Sequence, residues 1–192
     1  MSNRFSAQPA TQFTGLSARF AIVGLCLITA GFALTGAIQY LRPLAMPAIL
    51  PFAETFHSQA LAADSETAIA LADQAIEAAP ARGELEVLKA RLLIEQSRSL
   101  TPALTPATIE ALRTSYLKSP LSPKAHKTRL SLIYGYWPHM PLDLRRLANA
   151  EARTYAQRYS GRIFLNELRP TLSPPAATAL DLSLSQAGIG QN

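Results

Sequence analysis

The chain has 192 residues, 48% of them hydrophobic and 16% charged, and a net charge of +5. That balance excludes a wholly disordered polypeptide. The single cysteine, Cys26, excludes an intramolecular disulfide and any cysteine-rich metal site.

Residues 1–19 carry no acidic side chain and little periodicity, and are read as a disordered tail. Residues 20–38 then form an apolar run without a charged side chain. At about 1.5 Å per residue, such a helix spans roughly 28 Å, close to the ~30 Å hydrocarbon core of a bilayer. A transmembrane helix is therefore expected over residues 20–40, with Tyr40 at the headgroup level. A cleaved signal peptide is the competing reading. Its apolar region is usually shorter, and Gln39-Tyr40-Leu41-Arg42-Pro43 makes a poor cleavage site. Arg4 and Arg19 precede the run and Arg42 alone follows it until Glu54. The expected orientation is thus a cytoplasmic N-terminus and a periplasmic body, single-pass in a bacterial inner membrane.

Pro43, Pro47 and Pro51 recur every fourth residue, which predicts a stiff juxtamembrane stalk over residues 41–56. A helical body is expected over residues 57–187, and a short disordered tail over residues 188–192. Asp64 or Ser65 caps a helix that Pro80 closes, and a second runs from Glu84 to about Arg98 with Leu85, Leu88 and Leu92 on one face. Thr105-Pro106 and Ser122-Pro123 each start a further helix. The first of these shows Ile109, Leu112 and Tyr116 and stops before Pro120; the second shows Leu130, Ile133, Tyr134 and Trp137 and stops at Pro138. Pro141 opens a helix to about Tyr159 with Leu144, Leu147 and Tyr155 inward. A shorter helix ends before Pro170, and Ser173-Pro174 starts a last one with Leu180, Leu182 and Leu184.

Pro80 and Pro120 lie forty residues apart, and each closes one helix just before the next begins. A helix-turn-helix unit repeated near forty residues predicts an all-α fold, an α-solenoid of stacked hairpins. Ala68 and Ala75, seven apart, followed by Pro80, resemble the second helix of a tetratricopeptide repeat, and Ala90 and Leu93 fit the next first helix. In the following unit Pro120 matches, while Thr108 and Ser115 stand at the small positions, and the period exceeds the family's thirty-four. The resemblance implies a scaffold for protein contacts without catalysis. Arg129, Trp137, Arg145 and Arg153 are similar to residues of small membrane-linked repeat proteins associated with bacterial exopolysaccharide and O-antigen assembly.

The charge is unevenly laid out. Residues 54–110 carry a net charge of −5 and residues 111–192 a net charge of +7. Differently solvated helical layers account for such a split, as does a basic half that meets anionic lipid or an acidic glycan. Nucleic acid fits the charge, but an exported body would not meet it. Lys124, Lys127, Arg145, Arg146, Arg153, Arg158 and Arg162, with Tyr136 off the apolar stripe, form the candidate partner-binding set.

No cofactor is expected, because nucleotide-binding glycine patterns and a Gly-x-Ser-x-Gly elbow are absent. His57, His126 and His139 have no metal-ligand spacing and are read as surface or turn residues. Asp73 and Glu77 share a helix face, and a glycan-acting enzyme would set such a pair in a cleft. The expectation is a membrane-anchored adaptor or assembly factor of the cell envelope, serving surface polysaccharide synthesis or export. Its groove, lined by first helices, would meet other envelope or membrane proteins. Direct binding of anionic lipid or glycan is the alternative.

Overall fold

The structure, a computed structural model, describes residues 53–97 and 104–188. In the N-terminal unit of residues 1–50 it describes Cys26, Thr29, Ala30, Ala33 and Leu34. Those five are helical and exposed. The rest of the apolar run, the proline-rich segment before Ala53 and both tails apart from Gly188 lie outside the described residues. Among the described residues no helix is long and apolar enough to cross a membrane.

The second unit, Pro51–Asn192, is all-helical over its described residues. Its helices are α1 (Ala53–Ala62), α2 (Ser65–Ala78), α3 (Gly83–Ser97), α4 (Pro106–Lys118), α5 (His126–Gly135), α6 (Leu142–Ala156), α7 (Tyr159–Leu168) and α8 (Pro174–Gln186). Single 3-10 turns occupy Trp137–His139 and Arg169–Thr171. Chain neighbours pack on one another from α1 to α4; α6 then packs on α5, α7 and α8.

Local chemistry sets the ends of α2 and α4, and sets them alike. Asp64 and Thr105 both have extended backbone (φ −65, ψ 163 and φ −75, ψ 152). Each side-chain oxygen accepts from the amide three residues on, Thr67 at 3.1 Å and Thr108 at 3.2 Å. One orphan amide of each first turn is thereby satisfied. The two helices also end alike, at Ala79 (φ −144, ψ 71) and Ser119 (φ −150, ψ 74), whose amides donate to the carbonyls of Ala75 and Ser115. The turns that follow repeat as well, with Arg82 N–H donating to Ala79 O and Ser122 N–H to Ser119 O. The forty-residue spacing of Pro80 and Pro120 is thus matched in the backbone.

The small positions do what close packing needs. Ala68, Ala72 and Ala75 are fully buried, and so are Thr108 and Ser115 in the next unit. The two hydroxyls are satisfied locally, Thr108 with Thr105 Oγ1 at 2.9 Å and Ser115 donating to Leu112 O at 2.7 Å. Gly83 is required where α3 starts. A Cβ there would lie 2.6 Å from the carbonyl oxygen of Ser115 and 2.7 Å from Ser119 Cβ.

Several boundaries differ from the reading of the sequence. The body begins at Ala53, because α1 takes up residues assigned to the stalk and packs on α2. Ser122-Pro123 does not cap α5; the Ser122 carbonyl accepts from Ala125 and His126, and the helix starts at His126. Arg158 is extended (φ −95, ψ 141), so α6 stops at Ala156 and Tyr159 begins α7. Leu182 is 60% exposed; at ~100° per residue it points away from the buried Leu180 and Leu184. Leu147, read as inward, is 40% exposed.

Candidate functional site

Alternate helices line a trough. One pocket of about 230 Å³ is bordered by His57 and Leu61 of α1, by Glu84, Val87, Leu88 and Arg91 of α3, by Lys124 in the turn before α5 and by Thr128 of α5. A second, of about 320 Å³, is bordered by Arg91, Ile94 and Glu95 of α3 and by Lys127, Thr128, Ser131 and Leu132 of α5. Arg91 and Thr128 border both, so the two lie side by side between α3 and α5. Neither α2 nor α4 contributes a residue. Buried Val87, Leu88 and Ile94 make an apolar floor, while Leu61, Arg91, Lys124 and Lys127 stand exposed around it.

The charges in the trough are partly spent. Glu84 accepts from Arg82 Nε at 2.9 Å and Glu95 from Arg91 Nε at 2.8 Å. Burial tends to raise the Glu84 carboxyl, but hydrogen bonds from its own backbone and from Arg82 outweigh it and hold it below the ordinary range. Burial, with the Arg82 charge, pushes the His57 imidazole down, which favours its neutral form near pH 7. Lys124 makes no ion pair among the described residues, and the Lys127 ammonium lies 5.7 Å from the centre of the Phe164 ring.

Of the eight residues in the candidate binding set, Lys124 and Lys127 border the trough. Arg146, Arg158 and Arg162 are exposed outside its lining. The other three are engaged within the fold. Arg145 stacks on Trp137, 5.4 Å from the ring centre, and donates to the carbonyls of Met140 (2.8 Å) and Pro138 (3.1 Å). Arg153 donates to Gln186 at 2.8 Å, and Tyr136 is half-buried against the core. The carboxylate pair is not in the trough either: Asp73 lies 2.6 Å from Lys89 Nζ, and Glu77 is exposed on α2. Among the described residues no group of side chains could hold a metal ion.

The largest departure from the sequence reading is His126, which is buried rather than on the surface. Its Nδ1 donates to Glu151 Oε1 at 2.5 Å. The Arg129 guanidinium, fully buried, also holds Glu151, and the Tyr116 hydroxyl donates to Glu151 Oε2 at 2.7 Å. Arg129 reaches further, donating to the backbone carbonyls of Ser119 at 3.2 Å and Pro120 at 2.9 Å, and lying 3.9 Å over the Tyr116 ring. One buried cation thus ties the end of α4 to α5 and α6, where it also meets the partial negative charge of a helix C-terminus. Burial works to raise the Glu151 carboxyl; the hydrogen bonds of His126 and Arg129, the Arg129 charge and the Tyr116 hydroxyl overcome it and leave it depressed. Burial pushes the Tyr116 phenol well up, so it remains a donor. No atom of this network borders the trough. It positions helices and offers no access to a substrate.

Comparison with known protein families, with characterised proteins and with solved structures finds no match.

Proposed function

We propose that this chain is a membrane-anchored helical-repeat adaptor of the bacterial cell envelope. In this reading the apolar run of residues 20–38 is the anchor, and the body is a short α-solenoid of the tetratricopeptide kind. The observation that carries the proposal is the trough made by α1, α3, α5 and the turn that leads into α5. When helical hairpins stack, their alternate helices line one continuous face, and such faces bind segments of other proteins. The matched helix ends support the same arrangement, with N-caps forty-one residues apart and C-caps forty apart. The protein acts by binding rather than by catalysis, and Asp73 and Glu77 lie outside the trough. Support of surface polysaccharide synthesis or export is the setting proposed for it, on the resemblance of its basic half.

Photo-crosslinking in intact membranes tests this. A crosslinking residue at Leu61 or Thr128 is expected to capture a defined envelope protein, and one at Glu77, on α2, is not. Equal capture from all three positions, or recovery of the chain in the soluble fraction, overturns the reading.

A second reading, direct binding of anionic lipid or glycan, is favoured by the exposed Arg158 and Arg162 beside Tyr159 (73% exposed) and Ile163 (42%) on α7. It predicts salt-sensitive retention on anionic liposomes, lost on replacing both arginines.

A further inference from the structure

We infer that the trough takes an acidic, amphipathic segment of a partner protein, with its apolar side chains on the floor and its carboxylates against Lys124 and Lys127. This deepens the adaptor reading and rests on it.

The sign follows from which charges are already used. Both carboxylates of the trough are held by arginines of this chain, Glu84 by Arg82 and Glu95 by Arg91. An arriving cation finds only acids that have a partner. An arriving carboxylate finds Lys124, exposed and without an ion pair among the described residues, and Lys127, exposed and resting over a ring. The Lys124 charge does reach Glu54 and Glu84, and it lowers both carboxyls. Among the described residues the ammonium itself has no hydrogen bond or ion pair, and it stands on the rim, where charge complementarity selects partners and speeds encounter.

The apolar requirement follows from Leu61, 57% exposed at one end, and from the buried floor between the two rims. A strongly charged polymer without apolar groups would leave this surface wet. The length follows from the helices crossed. Three helices at 8–10 Å spacing extend over ~20 Å, which about six extended residues cover at ~3.3 Å each. That is the scale of a linear peptide rather than of a small metabolite.

The test selects random short peptides, by display, on the full chain held in detergent micelles. The expected winners combine Asp or Glu with Leu, Ile or Phe. Lys124→Glu/Lys127→Glu should weaken them at least about tenfold, and reselection on that variant should turn towards Lys and Arg. Both lysines are exposed, so an unchanged thermal transition is the check that the variant is folded. Leu61→Ser should weaken the same peptides while keeping their acidic preference. Winners without acidic residues, or equal binding to the double variant, overturn the inference and leave the adaptor reading standing. Failure of the wild-type chain to select any peptide overturns both.

Discussion

Helices α2 and α4 share their caps and closing turns, but the two ends of the helical body that they belong to are held together differently. From α1 to α3 the buried contacts form two small clusters rich in alanine: Ala60, Ala68 and Ala72 with Leu88 and Leu92, and Ala53 and Ala75 with Leu85. From α4 to α8, and reaching Ala90 of α3, one continuous core contains Tyr134, Trp137, Met140, Tyr155, Leu165 and Leu180, with the Arg129 network at its edge. Forty residues separate Lys89 from Arg129, and the pair captures the contrast. Lys89 reaches out to Asp73 at the surface, whereas Arg129 is swallowed whole. Close approach through small side chains removes little apolar area from water, at ~0.8 kcal/mol per buried methylene, while bulky side chains remove much more. The front is therefore expected to open first, with α3 coupled to α4 by Gly83 against Ser119 and by Lys118, 2.6 Å from Glu86.

The sharpest way to break this contrast is Arg129→Met. It leaves the Glu151 charge buried with only His126 and Tyr116 as donors, and a cost of ~3–5 kcal/mol is expected, read by urea unfolding. Arg129→Met/Glu151→Gln should regain part of the loss, because the orphaned charge goes with it. The same carboxylate makes the back half acid-sensitive. Its folded pKa lies below the ordinary 4.5, so its stabilising effect is complete above that value and is lost as pH falls through the depressed one. Glu151→Gln should flatten the acid limb of a stability-versus-pH curve.

Ala75→Leu probes the front, where there is no room for it, and should cost ~1–3 kcal/mol by overpacking. Hydrogen exchange should then speed up in α1–α3 before α6 and α8; uniform acceleration would mean that the body opens as one piece. Thr105→Ala, which removes the α4 cap, should cost about 1 kcal/mol in thermal unfolding. Smallest of all, Asp73→Asn should change stability by less than ~1 kcal/mol, since that pair sits largely in solvent.

How far each feature could be read from the sequence tracks the distance over which its physics acts. The caps at Asp64 and Thr105 and the stops before Pro80 and Pro120 involve partners within four residues, and these were readable. The inward faces of Leu85, Leu88, Leu112, Leu130 and Ile133 followed from helical spacing alone. Helix α1 is not legible in the sequence, because three prolines stand just upstream and its short span shows no long apolar stripe. Gly83, at the start of α3, is a contact point for a helix end thirty-six residues away, which no local pattern can show. The buried network was unreadable, since His126 and Glu151 are twenty-five residues apart and their types suit a surface equally well. A signal was present nonetheless: one turn of α5 sets His126 and Arg129 three apart, the spacing at which two side chains share a helix face. In the trough, Lys124 and Lys127 stand out in the sequence by their charge, but only the packing of alternate helices brings Leu61, Arg91 and Thr128 beside them.

The chain's one tryptophan has an optical consequence. Trp137 is buried on the far side of the divide, its indole stacked nearly parallel on Tyr134 at 4.9 Å with the Arg145 guanidinium above it. Its emission should report on the bulky half alone, whereas far-ultraviolet circular dichroism registers every helix. If the alanine-packed helices melt early, the dichroism curve will run ahead of the fluorescence curve, and the gap between them will measure the independence of the two ends without a label being introduced.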